Sequence, residues 1–296
     1  MEVLSNGSQR DTVVALGKFD GVHVGHIRLL QETAAVAHKK ALYALAFTFR
    51  IPGRDVLMTD QEKWLALLQY GMDGVHFETL TDAFMQLTPE QFLEEVLLKK
   101  WKVRHIVVGF NYRFGHRRLG DAALLLRLCA ERQIGLTVID PVMQGGSAVS
   151  STRVRQAVGI GDMEEVQKLL GRPFAVAGEV MPGKRLGREI GFPTVNLYPD
   201  VHLVLPQRGV YVTGLLCDGR RYAGMTNVGL NPTVEHIRHP KVETHVFDFH
   251  RDLYGKQVRV EFFHKIREEK AFAGVEQLKG QLERDVQIAK AYWKTL

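Results

Sequence analysis

The chain is short of several things, and each shortage excludes something. Its 296 residues include only two cysteines, Cys129 and Cys217. They stand far apart and belong to no CxxC or Cys/His cluster. A disulfide framework and a tightly held zinc site are therefore not expected, and the thiols read as buried or incidental in a reducing compartment. Long apolar runs are missing as well. Ala122 to Leu126 is closed off by charge well before the ~20 residues a bilayer requires, so no membrane partner is expected. The opening MEVLSNGSQRD has neither the basic nor the apolar region of a signal peptide, and a cytoplasmic location is expected. No basic run reaches the length of a polybasic tail, although the formal charge is +6 and the pI about 9.3. That balance favours anionic partners without choosing among nucleotides, nucleic acid and acidic lipid. Nucleic acid is not expected, because helix-turn-helix, RNP and zinc-finger patterns are absent.

What is present reads as an ordinary globular protein long enough for two domains. Strand and helix signals alternate in the first half. Thr12 to Leu16, Leu42 to Phe49, Gly74 to Phe77, Arg104 to Val108 and Leu136 to Ile139 are short apolar runs. Helical patterns lie between them. One places Ile27, Leu30, Ala34 and Ala37 on a single face. Others start at Thr59, at Thr88 with Pro89 behind it, and at Asp121. Buried strands separated by helices predict a parallel sheet covered on both faces. Ser151 to Leu170 reads as helical with a break at Gly159-Ile160-Gly161. Beyond Gly171-Arg172-Pro173 the pattern becomes closely spaced strands: Phe174 to Val180, Gly209 to Leu216, Tyr222 to Val228, Val242 to Phe249 and Gln257 to Phe263. They predict a small antiparallel barrel, followed by a helix over Val275 to Tyr292. The boundary is expected near 160 to 172, giving an N-terminal domain over 1–160, a linker over 161–172 and a C-terminal domain over 173–296.

The first strand runs straight into Gly17-Lys18-Phe19-Asp20-Gly21-Val22-His23-Val24-Gly25-His26. Glycines here let the chain turn and let backbone N–H groups approach a ligand, and a helix starting near Gly25 points its positive end at the same place. His23 and His26, three residues apart, face the same way and suit phosphate oxygens. This is an HxGH signature set between strand and helix. Gly109 to Gly115 (GFNYRFG) follows the fourth strand, where a ligand of an open α/β sheet would lie. Its aromatics suit a flat ring or a packed loop. Ser150-Ser151-Thr152-Arg153-Val154-Arg155 opens a helix and suits a triphosphate or a plain cap with surface arginines.

In the second half, Gly178 to Arg188 (GEVMPGKRLGR) is a glycine-rich basic stretch. It is either a phosphate cradle or a flexible hairpin loop, and it lacks the ending of a Walker A motif. It leads into Gly191-Phe192-Pro193-Thr194-Val195-Asn196-Leu197. Thr194 and Asn196 alternate onto one face of an extended segment and offer hard oxygen atoms of the kind magnesium prefers. Asn227 to Thr233 (NVGLNPT), Val242 to Phe249 (VETHVFDF), Asp252 to Gly255 (DLYG) and Phe263 to Glu269 (FHKIREE) follow in order.

Together these motifs resemble the bacterial bifunctional riboflavin kinase/FMN adenylyltransferase (FAD synthetase) family. The resemblance implies a Rossmann-like α/β nucleotidyltransferase domain followed by an antiparallel β-barrel kinase domain with a C-terminal helix. It implies FMN formation from riboflavin in the barrel and FAD formation from FMN in the first domain, with ATP as co-substrate and Mg²⁺ as cofactor. By resemblance, His23, His26, Ser151, Thr152 and Arg153 hold ATP phosphates together with Gly17, Phe19 and Gly25. Asn111 and Arg113 lie by the flavin. Gly183, Lys184 and Gly187 bind the second ATP, Thr194 and Asn196 engage the metal, and Glu243 is the general base. Two departures stand out. Phe47 to Gly53 (FTFRIPG) replaces the family's TFxPHP, and the usual PTAN reads PTVN, with Val195 in the middle. They leave room for an enzyme keeping one activity only. The basic pI leaves a third reading, a flavin- or nucleic-acid-binding regulator. His245 and His264 read as packed or exposed side chains rather than ligands, and Trp64 and Trp101 as helix-packing residues.

Overall fold

The computed structural model describes residues 7–50, 53–183, 187, 190–232 and 238–296. Lys184, Thr233 and the Ile51-Pro52 pair lie outside them. The chain divides into two compact units, Met1–Ser151 and Thr152–Leu296.

The first unit is a five-stranded parallel sheet. Its strands are β1 (Thr12–Leu16), β2 (Tyr43–Arg50), β3 (Gly74–Thr79), β4 (Val103–Gly109) and β5 (Gly135–Ile139), in the order β3-β2-β1-β4-β5. Alternation within β1 shows why both faces must be covered. Val14 and Leu16 enter one core with Phe47, Ile106, Phe92, Trp101 and Leu125, while Val13 and Ala15 enter the other with Leu29, Leu30, Leu67 and Val75. The helices supplying those cores are α1 (Val24–Lys40), α2 (Asp60–Gln69), the short α3 (Asp82–Met85), α4 (Pro89–Gln91) and α5 (Ala122–Glu131). Thr59 and Glu62 form a reciprocal capping box at the start of α2, and Thr88 and Gln91 form one at α4. Helix α4 runs on into a π-helical stretch, Phe92–Lys100, in which Phe92, Leu93, Val96 and Leu97 are buried. It ends where the Trp101 N–H reaches back five residues to Val96 O. A small hairpin, β6 (Met143–Gln144) and β7 (Ser147–Ala148), leads to α6.

Helix α6 (Ser151–Ile160) begins at the division between the units. Helix α7 (Met163–Leu170) buries Met163, Val166, Leu169 and Leu170 within the second unit, and its stop is Gly171 at φ 70°. The rest is a curled antiparallel sheet of β8 (Phe174–Glu179), β9 (Val195–Leu197), β10 (Gly209–Cys217), β11 (Arg220–Pro232), β12 (Arg238–Val246) and β13 (Gln257–Glu268), ordered β8-β13-β10-β11-β12-β9. Its two ends approach each other where Met181, just past β8, bridges Asn196 in β9, with Met181 N–H donating to Asn196 O at 2.9 Å. Helix α8 (Val275–Trp293) packs Leu282, Val286, Ala289 and Trp293 on Val212, Met225 and Phe247. Its fully buried Asp285 takes a bidentate ion pair from Arg267 of β13.

Candidate functional sites

In the parallel sheet, β2 lies on one side of β1 and β4 on the other. The crevice beyond the carboxyl ends of β1 and β4 is the switch point at which open α/β sheets bind ligands. The Gly17 to His26 loop leaves β1 there, and the Phe110 to Gly115 loop leaves β4 beside it. The first loop is tightly built. Phe19 and Val22 are fully buried although both adopt positive φ, 48° and 41°, a conformation costly for side chains of this size. A Cβ on Gly17 would stand 2.9 Å from the Phe19 ring. The Phe19 side chain thus belongs to the core, meeting the His26 ring edge-on at 5.3 Å, and only its backbone is left to meet a ligand.

His23 is the N-cap of α1 and is 7% exposed. Its Nδ1 accepts the His26 backbone N–H at 3.3 Å, so the neutral ring carries its hydrogen on Nε2. The His23 and His26 rings stack at 3.7 Å and 15°. Gly25 makes room for this arrangement, since a Cβ there would lie 3.2 Å from the His23 ring. Burial, then the neighbouring His23 and Lys63 charges, hold the His26 imidazole well below the ordinary histidine range. Its Nδ1 is enclosed without a hydrogen-bond partner.

Asp20 ties three segments together. Its carboxylate accepts the Leu57 N–H at 2.9 Å, just ahead of α2, and its backbone carbonyl accepts the Ser151 hydroxyl at 2.8 Å. Ser151 thereby joins the histidine loop. Thr152 and Arg153 are the next residues of α6. Thr152 is exposed, and the Arg153 guanidinium already pairs with Glu165 of α7. On the β4 loop Asn111 is exposed, and Arg113 donates to Asp121, the N-cap of α5, at 3.3 Å. Tyr112 and Phe114 stack at 5.6 Å beneath them. Of the altered Phe47 to Gly53 stretch, Phe47 lies in the core, the Thr48 hydroxyl donates to Lys18 O at 2.9 Å, and Arg50 pairs with Asp60 at 2.9 Å.

In the antiparallel unit the site emerges from strand register. Directly opposed residues share a face, and Asn196 of β9 opposes Glu243 of β12, which opposes Asn227 of β11. The result is a polar row of amide, carboxylate and amide across three strands. Asn196 is buried, with an orphan acceptor, Oδ1, and its Nδ2 donates to Thr194 O at 3.3 Å. Val195 opposes Thr244 and so faces the other side of the sheet, away from Thr194 and Asn196. The buried Lys241 binds the Glu243 carboxylate at 2.6 Å. Gly183 fits against Asn196 so closely that a Cβ would sit 2.5 Å from its amide nitrogen, and Gly187 receives the Phe192 N–H at 2.7 Å. A cleft of about 690 Å³ opens here, lined by Gly183, Thr194, Asn196, Phe249, Asp252 and Tyr254. Asn227 and Lys241 are missed by residue-type reasoning. Asn227 opens a motif the sequence displays, but its place beside Glu243 depends on register. His245 packs on Phe192 and Phe247, while His264 pairs with Glu164 and stacks on Tyr292. Among the described residues no group of three His, Cys, Asp or Glu side chains is placed to hold a metal, and no helix is long and apolar enough to cross a membrane.

Comparison with known proteins follows the same division. A family model described as FAD synthetase matches residues 5–153, and one described as riboflavin kinase matches residues 170–293. The bifunctional riboflavin kinase/FMN adenylyltransferase of Escherichia coli (strain K12) is 36% identical over 98% of this chain and 95% of that protein. The Listeria monocytogenes protein of the same name is 32% identical over 96% and 93%. Among solved structures, one from Streptococcus pneumoniae described as a macrolide-efflux protein superposes with a TM-score of 0.87 at 31% identity, covering 97% of this chain and 96% of that one. With both family models matched in sequence order, and full-length relatives above 30% identity, the chain belongs to the bifunctional riboflavin kinase/FMN adenylyltransferase family.

Proposed function

We propose that the chain makes FMN from riboflavin in its C-terminal unit and FAD from FMN in its N-terminal unit, with ATP as donor each time. One observation carries this reading. The two units hold chemically opposite sites, matched to the two reactions. The N-terminal site offers N–H donors, a helix start and imidazoles, and the carboxylate of its own loop, Asp20, is engaged by the Leu57 N–H. It suits an attacking group that is already anionic, the FMN phosphate, which displaces pyrophosphate from the α-phosphate of ATP. Catalysis there is positioning and charge stabilisation: Nε2–H of His23 and the start of α1 bind phosphate oxygens, and the aromatic loop after β4 takes the flavin near Asn111. Arg113 and Arg153 must exchange their present carboxylate partners for a ligand to take the parts expected of them.

The C-terminal site supplies what the other lacks. The riboflavin 5′-hydroxyl must lose its proton to attack the γ-phosphate, and Glu243 is the carboxylate placed to take it, with Lys241 holding it in position. Thr194 and the orphaned Oδ1 of Asn196 fit a magnesium ion, a hard cation that neutralises phosphate charge when bound. Gly183 and Gly187 let the loop backbone approach the phosphates. The streptococcal neighbour's description is a property of that protein; the motif-bearing sites here favour group transfer. Chromatography of the products from riboflavin with Mg²⁺·ATP, and separately from FMN with Mg²⁺·ATP, tests the reading. FMN and then FAD are expected. FAD missing from the FMN reaction would leave a kinase alone.

A further inference from the structure

Lys63, one turn into α2, has no part in the motifs, yet it is 4% exposed. Burying an ammonium is costly unless hydrogen bonds and counter-charge compensate it, and here they do so poorly. Its nearest carboxylate oxygen, Asp60 Oδ1, is 3.8 Å away, beyond a hydrogen bond, and the other oxygen of Asp60 is taken by Arg50 at 2.9 Å. The Phe77 ring below it, at 5.7 Å, is shared with Arg50 at 5.1 Å. Burial lowers the Lys63 pKa, and Asp60 and then Asp20 oppose this. The same charge is felt at His26. Helix α2 starts at the carboxyl end of the sheet, and the Leu57–Asp20 hydrogen bond holds the segment before it against the histidine loop. The side chain therefore lies beside Asp60 and over the Phe77 ring of β3, at the carboxyl end of the sheet from which the histidine loop also leaves.

We propose that Lys63 is a phosphate-binding residue of the N-terminal site, its under-compensated ammonium completing its coordination on the polyphosphate of the bound nucleoside triphosphate. The inference rests on the adenylyltransferase reading and deepens it. Lysine suits the task, being a compact point charge with three donors on a stem long enough to reach in from a neighbouring helix. The altered stretch at the end of β2 contributes as well. Arg50 occupies Asp60 and so keeps that carboxylate from closing on Lys63.

The test compares wild type with Lys63→Met, Lys63→Gln and Lys63→Arg. FAD formation from FMN is followed over a range of ATP concentrations, FMN formation from riboflavin is followed in the same preparations, and thermal melting is recorded. In the Met and Gln variants kcat/KM for ATP in FAD formation is expected to fall about tenfold to a hundredfold, the size of a lost charge-assisted hydrogen bond. Arginine restores most of it, and FMN formation is unchanged in all three. If Met melts early, Gln carries the comparison. Wild-type kcat/KM in the neutral variants, with or without a change in melting, would overturn the proposal and leave Lys63 a packing role. A wild type that makes FMN but no FAD would break the adenylyltransferase reading itself, and this inference with it.

Discussion

The two sites are built on opposite plans. The N-terminal one is assembled from loops at the end of a parallel sheet, and its candidate groups are positioned by core packing: Phe19 buried behind Gly17, His23 capping a helix, His26 stacked upon it. The C-terminal one has its polar row assembled within strands, by register, as Asn227, Glu243 and Asn196 fall into line across β11, β12 and β9. The first collects backbone and imidazole groups at a helix start, the second a carboxylate flanked by amides and held by Lys241. On the proposed reading, one architecture serves a nucleophile that arrives charged, the other a nucleophile that must be made so.

The sharpest way to break this comparison is to cross the two units. Glu243→Ala should lower FMN formation from riboflavin by about 10²–10⁴-fold, the usual weight of a general base, and leave FAD formation from supplied FMN intact. His26→Ala should do the reverse, and loss of both half-reactions in either folded variant would end the division of labour. Next in size is Gly183→Ala. Its methyl group would enter the space of the Asn196 amide, and a displacement near 1 Å at such a position costs roughly 10²-fold in FMN formation. Asn227→Ala removes one end of the polar row, and a loss of about tenfold in the same assay is expected, on the scale of one hydrogen bond to a charged group.

The smallest effect concerns stability. His26 is held neutral in the folded protein, with its pKa below the unfolded value of about 6.5. Its contribution is therefore complete above that pH and is lost as pH falls from there toward the folded pKa, because the unfolded chain binds the proton first. Melting measured between pH 7.5 and 5.5 should show this loss, and His26→Gln, which cannot titrate, should lose less over the same window.

Much of this was legible in the sequence where the signal is local. A strand, a glycine turn and two histidines three apart announce the first candidate site because they follow one another without interruption from Thr12 to His26. The capping boxes at Thr59 and Thr88 were equally plain. Strand β9 is only three residues long, too short for a periodic signal, although Asn196 on it and Thr194 just before it were readable as candidates. The pairing of Glu243 with Asn196 and Asn227 was not legible, because it depends on which strands adjoin and in what register. Nor was Lys63, which reads as an ordinary polar position near the start of an amphipathic helix until the fold brings that helix against the histidine loop. The commitment of Arg113 to Asp121 and of Arg153 to Glu165 belongs to the same class: residue type predicts a cation, and only tertiary structure says what already holds it.

The hydrogen bond from the Ser151 hydroxyl to the Asp20 carbonyl spans nearly the whole first unit. In a chain emerging from the ribosome, the histidine loop precedes Ser151, the last residue of its unit, by most of that unit's length. The N-terminal site therefore cannot close until that entire unit has been made, while the barrel behind it is still to be translated. A nascent chain stalled before Ser151 would display the complete histidine signature and still lack the hydrogen bond that Ser151 gives to Asp20. Arrested chains of graded length, assayed for FAD formation, should turn on abruptly rather than by degrees.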